Sequence, residues 1–343
     1  MMKKIFLLLC AMASFLAMPV IAHAQSKYKD IAAGLQHAMV LKTDGTLWTF
    51  GLNSDGQLGD GTRTNRDKPV KILDNVSKIT AGERCSYALR NDGTLWAWGR
   101  NDFGLLGDGT NVDRLRPVRI LSGVKDVVAG NNHCAAILTD GTLWTWGDNA
   151  WLQLGDYTDE NRNSPVKVMR GISTVACGGR MTGAIGKDGV RWGWGDNRYG
   201  QLGDGTTEYP EGPTKVTGMK MQKLAMGWEH VMGLTPAGVL YTWGDNRYGQ
   251  LGDGTTTERT SPVRILSGVK DMAAFDFTSF AILTDGTLYG WGANDAGQLG
   301  DGTTTDKQRP VKLRSNISKV AAGGSFTMFL TTNGDLLVTG TIK

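Results

Sequence analysis

Apolar and polar residues alternate in short runs along this chain, and the runs come in sets of four. In one set, Leu95-Trp96-Ala97-Trp98 has the period of two expected of a strand. Before it lie Val76-Ser77-Lys78-Ile79-Thr80-Ala81 and Cys85-Ser86-Tyr87-Ala88-Leu89, and after a long loop comes Pro117-Val118-Arg119-Ile120. We letter these runs A to D. No stretch sustains a helical period of 3.6, so the pattern predicts an all-β chain. Asp92-Gly93 separates runs B and C and predicts a hairpin with a type I′ turn, whose two central residues both need φ > 0.

The hairpin glycines are Gly45, Gly93, Gly141, Gly189, Gly238, Gly286 and Gly334, at intervals of 48 residues with a single 49. A period of that size marks a solenoid, an array or a propeller. Pro69, Pro117, Pro165, Pro213, Pro262 and Pro310 keep the same register at the head of run D. A proline there suits an edge strand, which has no ladder partner to lose. The extra residue in the long interval falls after Pro213, in the link to the next unit. Four-stranded antiparallel units repeating with an aromatic signature describe the blades of a β-propeller.

Composition sharpens this picture. Of 343 residues, 48 are glycine and 11 are tryptophan. Collagen needs about one-third glycine, and the aromatics argue against a disordered linker. The first 24 residues have the layout of a secretory signal: Lys3 and Lys4, an apolar run from Ile5 to Ile21, then Ala22-His23-Ala24 before Gln25. Export after Ala24 would leave residues 25–343 and lower the net charge from +4 to +2. Such a domain, without a Lys/Arg run, has no electrostatic reason to bind nucleic acid. No second apolar segment of about 18 residues follows, so no membrane span is expected. The expected location is secreted, periplasmic or in the cell envelope.

The recurring Gly-x-Asn-x-x-Gly-Gln-Leu-Gly-Asp-Gly-Thr, Pro-Val, Ala-Gly-x-x-His and Asp-Gly-Thr-Leu-Trp-x-Trp-Gly resemble the RCC1 repeat, named for regulator of chromosome condensation, from about Tyr28 to Gly340. The resemblance implies a seven-bladed β-propeller of four-stranded blades. Only six of these proline-headed strands are present, five Pro-Val and one Pro213-Thr214, so the seventh blade, ending in Leu336-Leu337-Val338-Thr339, is expected to have three strands. Met18-Pro19-Val20-Ile21 has the look of a missing D strand but sits in the apolar run of the signal. The resemblance also brings two roles into view. The eukaryotic namesake exchanges guanine nucleotides on a small GTPase, using an inserted wedge for which a spacing of 48 or 49 leaves no room. An exported bacterial relative is a β-lactamase inhibitor. The tryptophan cluster of the family's plant photoreceptor has no counterpart here beyond Trp228.

Several motifs have structural readings. Trp48, Trp96, Trp98, Trp144, Trp146, Trp192, Trp194, Trp243 and Trp291 recur in run C and are expected to pack between blades. The repeated aspartates of the hairpins and C–D loops offer too few oxygens per segment for calcium and read as turn residues. His37, His133 and His230 share one column on alternate blades. Sheets lie about 10 Å apart, too far for shared zinc, so each is expected to cap its own loop. Cys85, Cys134 and Cys177 are an odd set in three columns, leaving any pairing open. No cofactor, metal or catalytic motif emerges.

Function should lie where the blades differ. The A–B and C–D loops share one rim and vary most. They supply the candidate partner-binding residues Glu83, Arg84, Phe103, Trp151, Arg180, Tyr199, Trp228, Glu229, Tyr248, Asp276 and Phe277. Trp, Tyr and Arg dominate protein-binding hot spots. Blade six departs furthest, with Phe275 where the other blades have Gly. The leading expectation is a non-enzymatic module that binds a protein, with nucleotide exchange and carbohydrate or cell-wall binding as the alternatives.

Overall fold

A computed structural model describes residues 27–342. The expected signal and Met18–Ile21 lie outside the described residues. These residues form 27 strands and no helix, arranged in seven antiparallel sheets, six of four strands and a last one of three. In blade one the strands are A (Tyr28–Ala33), B (His37–Lys42), C (Leu47–Gly51) and D (Arg66–Leu73). Each A strand packs on the A strand of the next blade, and blade seven's (Ile317–Ala322) packs on blade one's, closing the ring. D is always an edge strand.

The hairpin between B and C differs from the expected type I′ turn. Gly45 has φ 81° while Asp44 is absent from the positive-φ residues. Gly45 N–H donates to Lys42 O and Lys42 N–H to Thr46 O, which makes a three-residue loop ending in a left-handed glycine. The Asp44 carboxylate accepts from both the Thr46 N–H and hydroxyl, and those bonds hold it below its ordinary pKa. The prolines also sit deeper than expected. Pro69 is the fourth residue of its D strand, at a register slip between Thr49 and Gly51. An irregular edge tolerates a residue without an N–H. Blade four's D strand is reduced to Thr214–Val216, just after Pro213.

The core is divided into seven apolar clusters, one at each interface between blades. Trp98, Trp146, Trp194, Trp243 and Trp291 are fully buried there. Each indole N–H donates to a backbone carbonyl in the C–D loop of the preceding blade: Gln57, Leu105, Gln153, Gln201 or Gln250, at 2.7–3.0 Å. This contact explains one invariant glycine. A Cβ on Gly155 would lie 2.6 Å from Trp194 Nε1, and φ there is 72°. Trp48, Trp96 and Trp192 pack against the same interfaces as expected but from their edge, and Trp144 joins no cluster. All four are half-buried, and Trp48, Trp96 and Trp144 donate instead to a threonine of their own hairpin.

At the end of the ring axis away from the A–B loops, one column of strand A reads Asp30, Lys78, Asp126, Thr174, Lys223, Asp271, Lys319. Lys78 pairs with Asp126, Lys223 with Asp271, and Lys319 with Asp30 across the closure.

Candidate functional site

The rim is built on buried asparagines. Asn149 Nδ2 donates to Asp156 Oδ1 at 3.0 Å and Thr158 O at 2.7 Å, and its Oδ1 accepts from Leu154 N–H. Asp156 in turn holds Arg162 at 2.7 Å. Burial works against ionising Asp156, but the bonds from Arg162 and Thr158 outweigh it and keep the carboxyl below its ordinary range. The aspartates of these loops are thus turn clamps. Next, Gln153 Oε1 accepts the N–H of Trp151 at 2.8 Å, and Gln201 and Gln250 do the same for Tyr199 and Tyr248. The constant Asn and, outside blade two, the Gln fix the backbone from which the variable side chain projects.

A second device steadies the A–B loops. Leu35 N–H donates to Glu83 O, Glu83 to Asn131 O, Asn131 to Gly178 O, Gly179 to Gly227 O, Trp228 to Asp276 O, and Gly324 to Leu35 O. These six bonds, 2.7–3.3 Å, form a backbone hoop around the axis. Among the described residues no such bond joins blade six to blade seven, and Asp276 has φ 44°.

On this frame blades three to six carry a continuous band. Arg198 lies over the Trp151 ring at 4.2 Å and Arg180 at 4.8 Å, and Tyr209 stacks beside it at 6.1 Å. Arg180 also reaches Trp228, at 5.8 Å. Glu229, only 5% exposed, accepts from Arg247 at 2.6 Å and from Arg198 at 3.4 Å. Burial pushes its carboxyl up. Asp196 and Asp245, both buried, hold the same two arginines at 2.7 and 3.1 Å. The bonds to Asp196 raise the pKa of Arg198 further. Arg247 covers Tyr199 at 5.1 Å and Phe277 at 5.7 Å, and Phe277 meets the exposed Tyr248 at 4.9 Å. Trp228 lies against Gly179, where a Cβ would come within 2.6 Å of its carbonyl oxygen.

The structure therefore brings Trp151, Arg180, Tyr199, Trp228, Glu229, Tyr248 and Phe277 together. Glu83, Arg84 and Phe103 stand apart on blade two. There Arg84 reaches Asp55 at 3.4 Å, and Phe103 packs partly against the core beneath Arg100. Asp276 faces the axis. Sequence reasoning missed Arg198, Arg247, Tyr209, Asp196 and Asp245. The positions just before and after the constant Asn vary as much as the one that was read: Ser54, Asp102, Ala150, Arg198, Arg247 and Asp295 fill the second of them.

The histidines do not cap their own loops. His37 Nε2 bonds Ser86 Oγ at 2.9 Å, His133 bonds Thr182 at 2.8 Å and His230 bonds Ser279 at 2.8 Å, each in the next blade. Each hydroxyl then donates to the carbonyl that also receives the neighbouring tryptophan. Burial lowers the pKa of His37 and His133 to about 4 and of His230 to about 3, so all three are neutral near pH 7. Cys85, Cys134 and Cys177 are free buried thiols; burial pushes Cys85 up to about 11 and Cys177 to about 12. Among the described residues, no three His, Cys, Asp or Glu side chains converge as metal ligands.

The RCC1-like domain family matches residues 14–329, from within the stretch read as an export signal to the last blade. The chain belongs to that family. Among solved structures, human WBSCR16 is 24% identical with a TM-score of 0.79, covering 92% of this chain and 87% of its own. Yeast RCC1 (Prp20) bound to Kap60 is 21% identical with a TM-score of 0.77, covering 92% and 80%. Prp20p from Saccharomyces cerevisiae, described with its binding to Gsp1p and histones, is 22% identical with a TM-score of 0.77, covering 92% and 82%. At these identities the likeness establishes the RCC1 propeller fold. No curated protein matches the sequence. An RCC1-like propeller is a protein-interaction fold, so the rim is where a partner is to be sought.

Proposed function

We propose that this RCC1-like chain is an exported, non-enzymatic propeller that binds a protein partner through the rim of blades three to six. The band from Trp151 to Phe277 carries the reading. Its aromatics and arginines are hot-spot residues, and the acids beneath them fix Arg198 and Arg247 before any partner arrives. Export rests on the Lys3–Ala24 pattern. A protein partner is also in keeping with the yeast neighbour, which is described bound to Kap60 and with its binding to Gsp1p and histones. Carbohydrate stacking is less well supported, because the Trp151 ring is flanked by Arg198, Arg180 and Tyr209.

The test is capture from envelope and culture fluid with the wild type and a Trp151→Ala/Tyr248→Ala variant, followed by identification of the captured protein and measurement of its Kd. Losing a hot-spot side chain costs about 2 kcal/mol or more, so the double variant should bind at least about 30-fold more weakly. Retention on glycans without any protein partner would overturn the reading. Stimulated nucleotide release from a small GTPase would replace it with exchange activity.

A further inference from the structure

Eight of the 11 tryptophans donate their indole N–H to a backbone carbonyl or a hairpin threonine. Trp192 lacks that threonine, because Val190 stands in its place. The remaining two, Trp151 and Trp228, lie on the rim, and among the described residues neither indole N–H has an acceptor. Arg180 lies over both rings, at 4.8 and 5.8 Å. Arg198 and Arg247 are held by Asp196, Asp245 and Glu229, whereas among the described residues Arg180 makes no ion pair and no side-chain hydrogen bond. Contact with ring faces occupies the plane of a guanidinium and leaves its N–H edge for an acceptor. Three half-buried donor groups are thus gathered at one place with no acceptor among them.

The loop that carries Trp151 departs from the repeat at the same place. Leu152 and Tyr157 stand where blades one, two, four, five and six have left-handed glycines, and they keep that backbone, with φ 61° and 62°. A side chain costs free energy there, and strain of this kind gathers at binding sites. Burial does not offset the cost at Tyr157, which is 71% exposed. Its ring lies against Gly212, three residues beyond Tyr209, which stacks on Trp151 and is 44% exposed. An exposed aromatic shelf therefore adjoins the free donors.

We propose that Arg180, with the indole N–H groups of Trp151 and Trp228, binds a carboxylate side chain of the partner protein, and that Tyr209 and Tyr157 take the apolar residue beside it. The edge of a guanidinium matches a carboxylate in a bidentate pair, and the charge on Arg180 has no other counter-charge among the described residues. The assignment rests on the rim as a protein-binding surface and names what the partner presents to it.

The probe is acetyl-Leu-Glu-Leu-amide, with acetyl-Leu-Gln-Leu-amide as the uncharged control and sodium acetate as the free carboxylate. NMR follows the indole N–H signals of Trp151 and Trp228 at low, constant ionic strength. Both should move saturably with the Glu probe, with a Kd of about 1 mM, and about tenfold more weakly with the control and with acetate. Arg180→Gln should abolish the response, and Arg180→Lys, which keeps the charge but not the fork, should weaken it several-fold. Tyr157→Gly restores the glycine of the other blades. It should weaken the Glu probe about threefold or more while the urea midpoint stays level or rises. Equal binding of the Glu and Gln probes, or full binding by Arg180→Gln, would overturn the proposal. Acetate bound as tightly as the Glu probe would make this a site for free anions and defeat the partner assignment. Protein capture that needs Trp151 and Tyr248 but survives Arg180→Gln would defeat it while the rim reading stands. A response to the Glu probe with no protein captured would instead defeat the rim reading and leave the carboxylate site.

Discussion

Acid should unbolt this propeller well before the clamp aspartates of its C–D loops are protonated. The perturbation is a drop from pH 7 to pH 5. His37, His133 and His230 are neutral in the folded protein, with pKa values of about 4, 4 and 3, against 6.5 when unfolded. For a group depressed on folding, stabilisation is complete above the unfolded value and is lost as pH falls toward the folded one. At pH 5, about 1.5 pH units below the unfolded pKa, protonation favours each unfolded imidazole over its folded counterpart by about 2 kcal/mol. Three together amount to about 6 kcal/mol. Asp276 works the other way: raised to about 6, it binds its proton in the folded state first and returns about 1 kcal/mol over the same range. Glu229, also raised by burial, has the same sign. The histidines less Asp276 lose about 5 kcal/mol, a large share of the 5–15 kcal/mol of a typical domain. Urea unfolding at pH 7, 6 and 5 measures it, and His133→Gln should remove about a third of the histidine slope. A stability unchanged between pH 7 and 5, or an imidazole among the three titrating near 6.5 in the folded protein, would refute the bolted arrangement.

Two further predictions concern packing. Trp291→Phe and Trp243→Phe each delete one indole N–H, but the consequences differ. The Gln250 carbonyl keeps its bond from Ser279 Oγ, whereas in blade five Val231 stands in place of that hydroxyl, and Gln201 O accepts a hydrogen bond only from Trp243 among the described residues. Urea unfolding should show Trp291→Phe costing about 1 kcal/mol and Trp243→Phe up to about 3, since an orphaned buried acceptor is the larger penalty. Gly179→Ala should push Trp228 outward, costing about 1–3 kcal/mol by denaturation and weakening partner binding tenfold or more. Unchanged binding would remove Trp228 from the interface.

The blades were legible because each is written in local signals, a period of two and a turn glycine, repeated until chance was excluded. The three-stranded seventh blade followed from counting prolines. The hairpin type was not legible, since Asp-Gly suits both a two-residue turn and a type I turn closed by a left-handed glycine. The histidine bridges leave a signal in the sequence: Ser86, Thr182 and Ser279 stand 49 residues after each histidine, while of Cys134, Val231, Thr327 and Ala38, which follow the four blades without one, only Thr327 carries a hydroxyl. A column comparison hides such pairs because the partners lie in different columns. That the Glu83 charge helps raise the pKa of Asp276, 193 residues away, was beyond reach for another reason: facing across a ring depends on how many blades close it.

The charged column at the far end of the axis bears on that number. Around a closed ring, opposite charges can alternate only if the members are even in number, so a ring of seven needs one neutral position, and Thr174 supplies it. Closure without blade one would set Lys319 beside Lys78, and closure without blade two would set Asp30 beside Asp126. Only loss of blade four, the one carrying Thr174, would leave the signs alternating. The column thus acts as a parity check on assembly, penalising most miscounted rings while adding little to the stability of the right one.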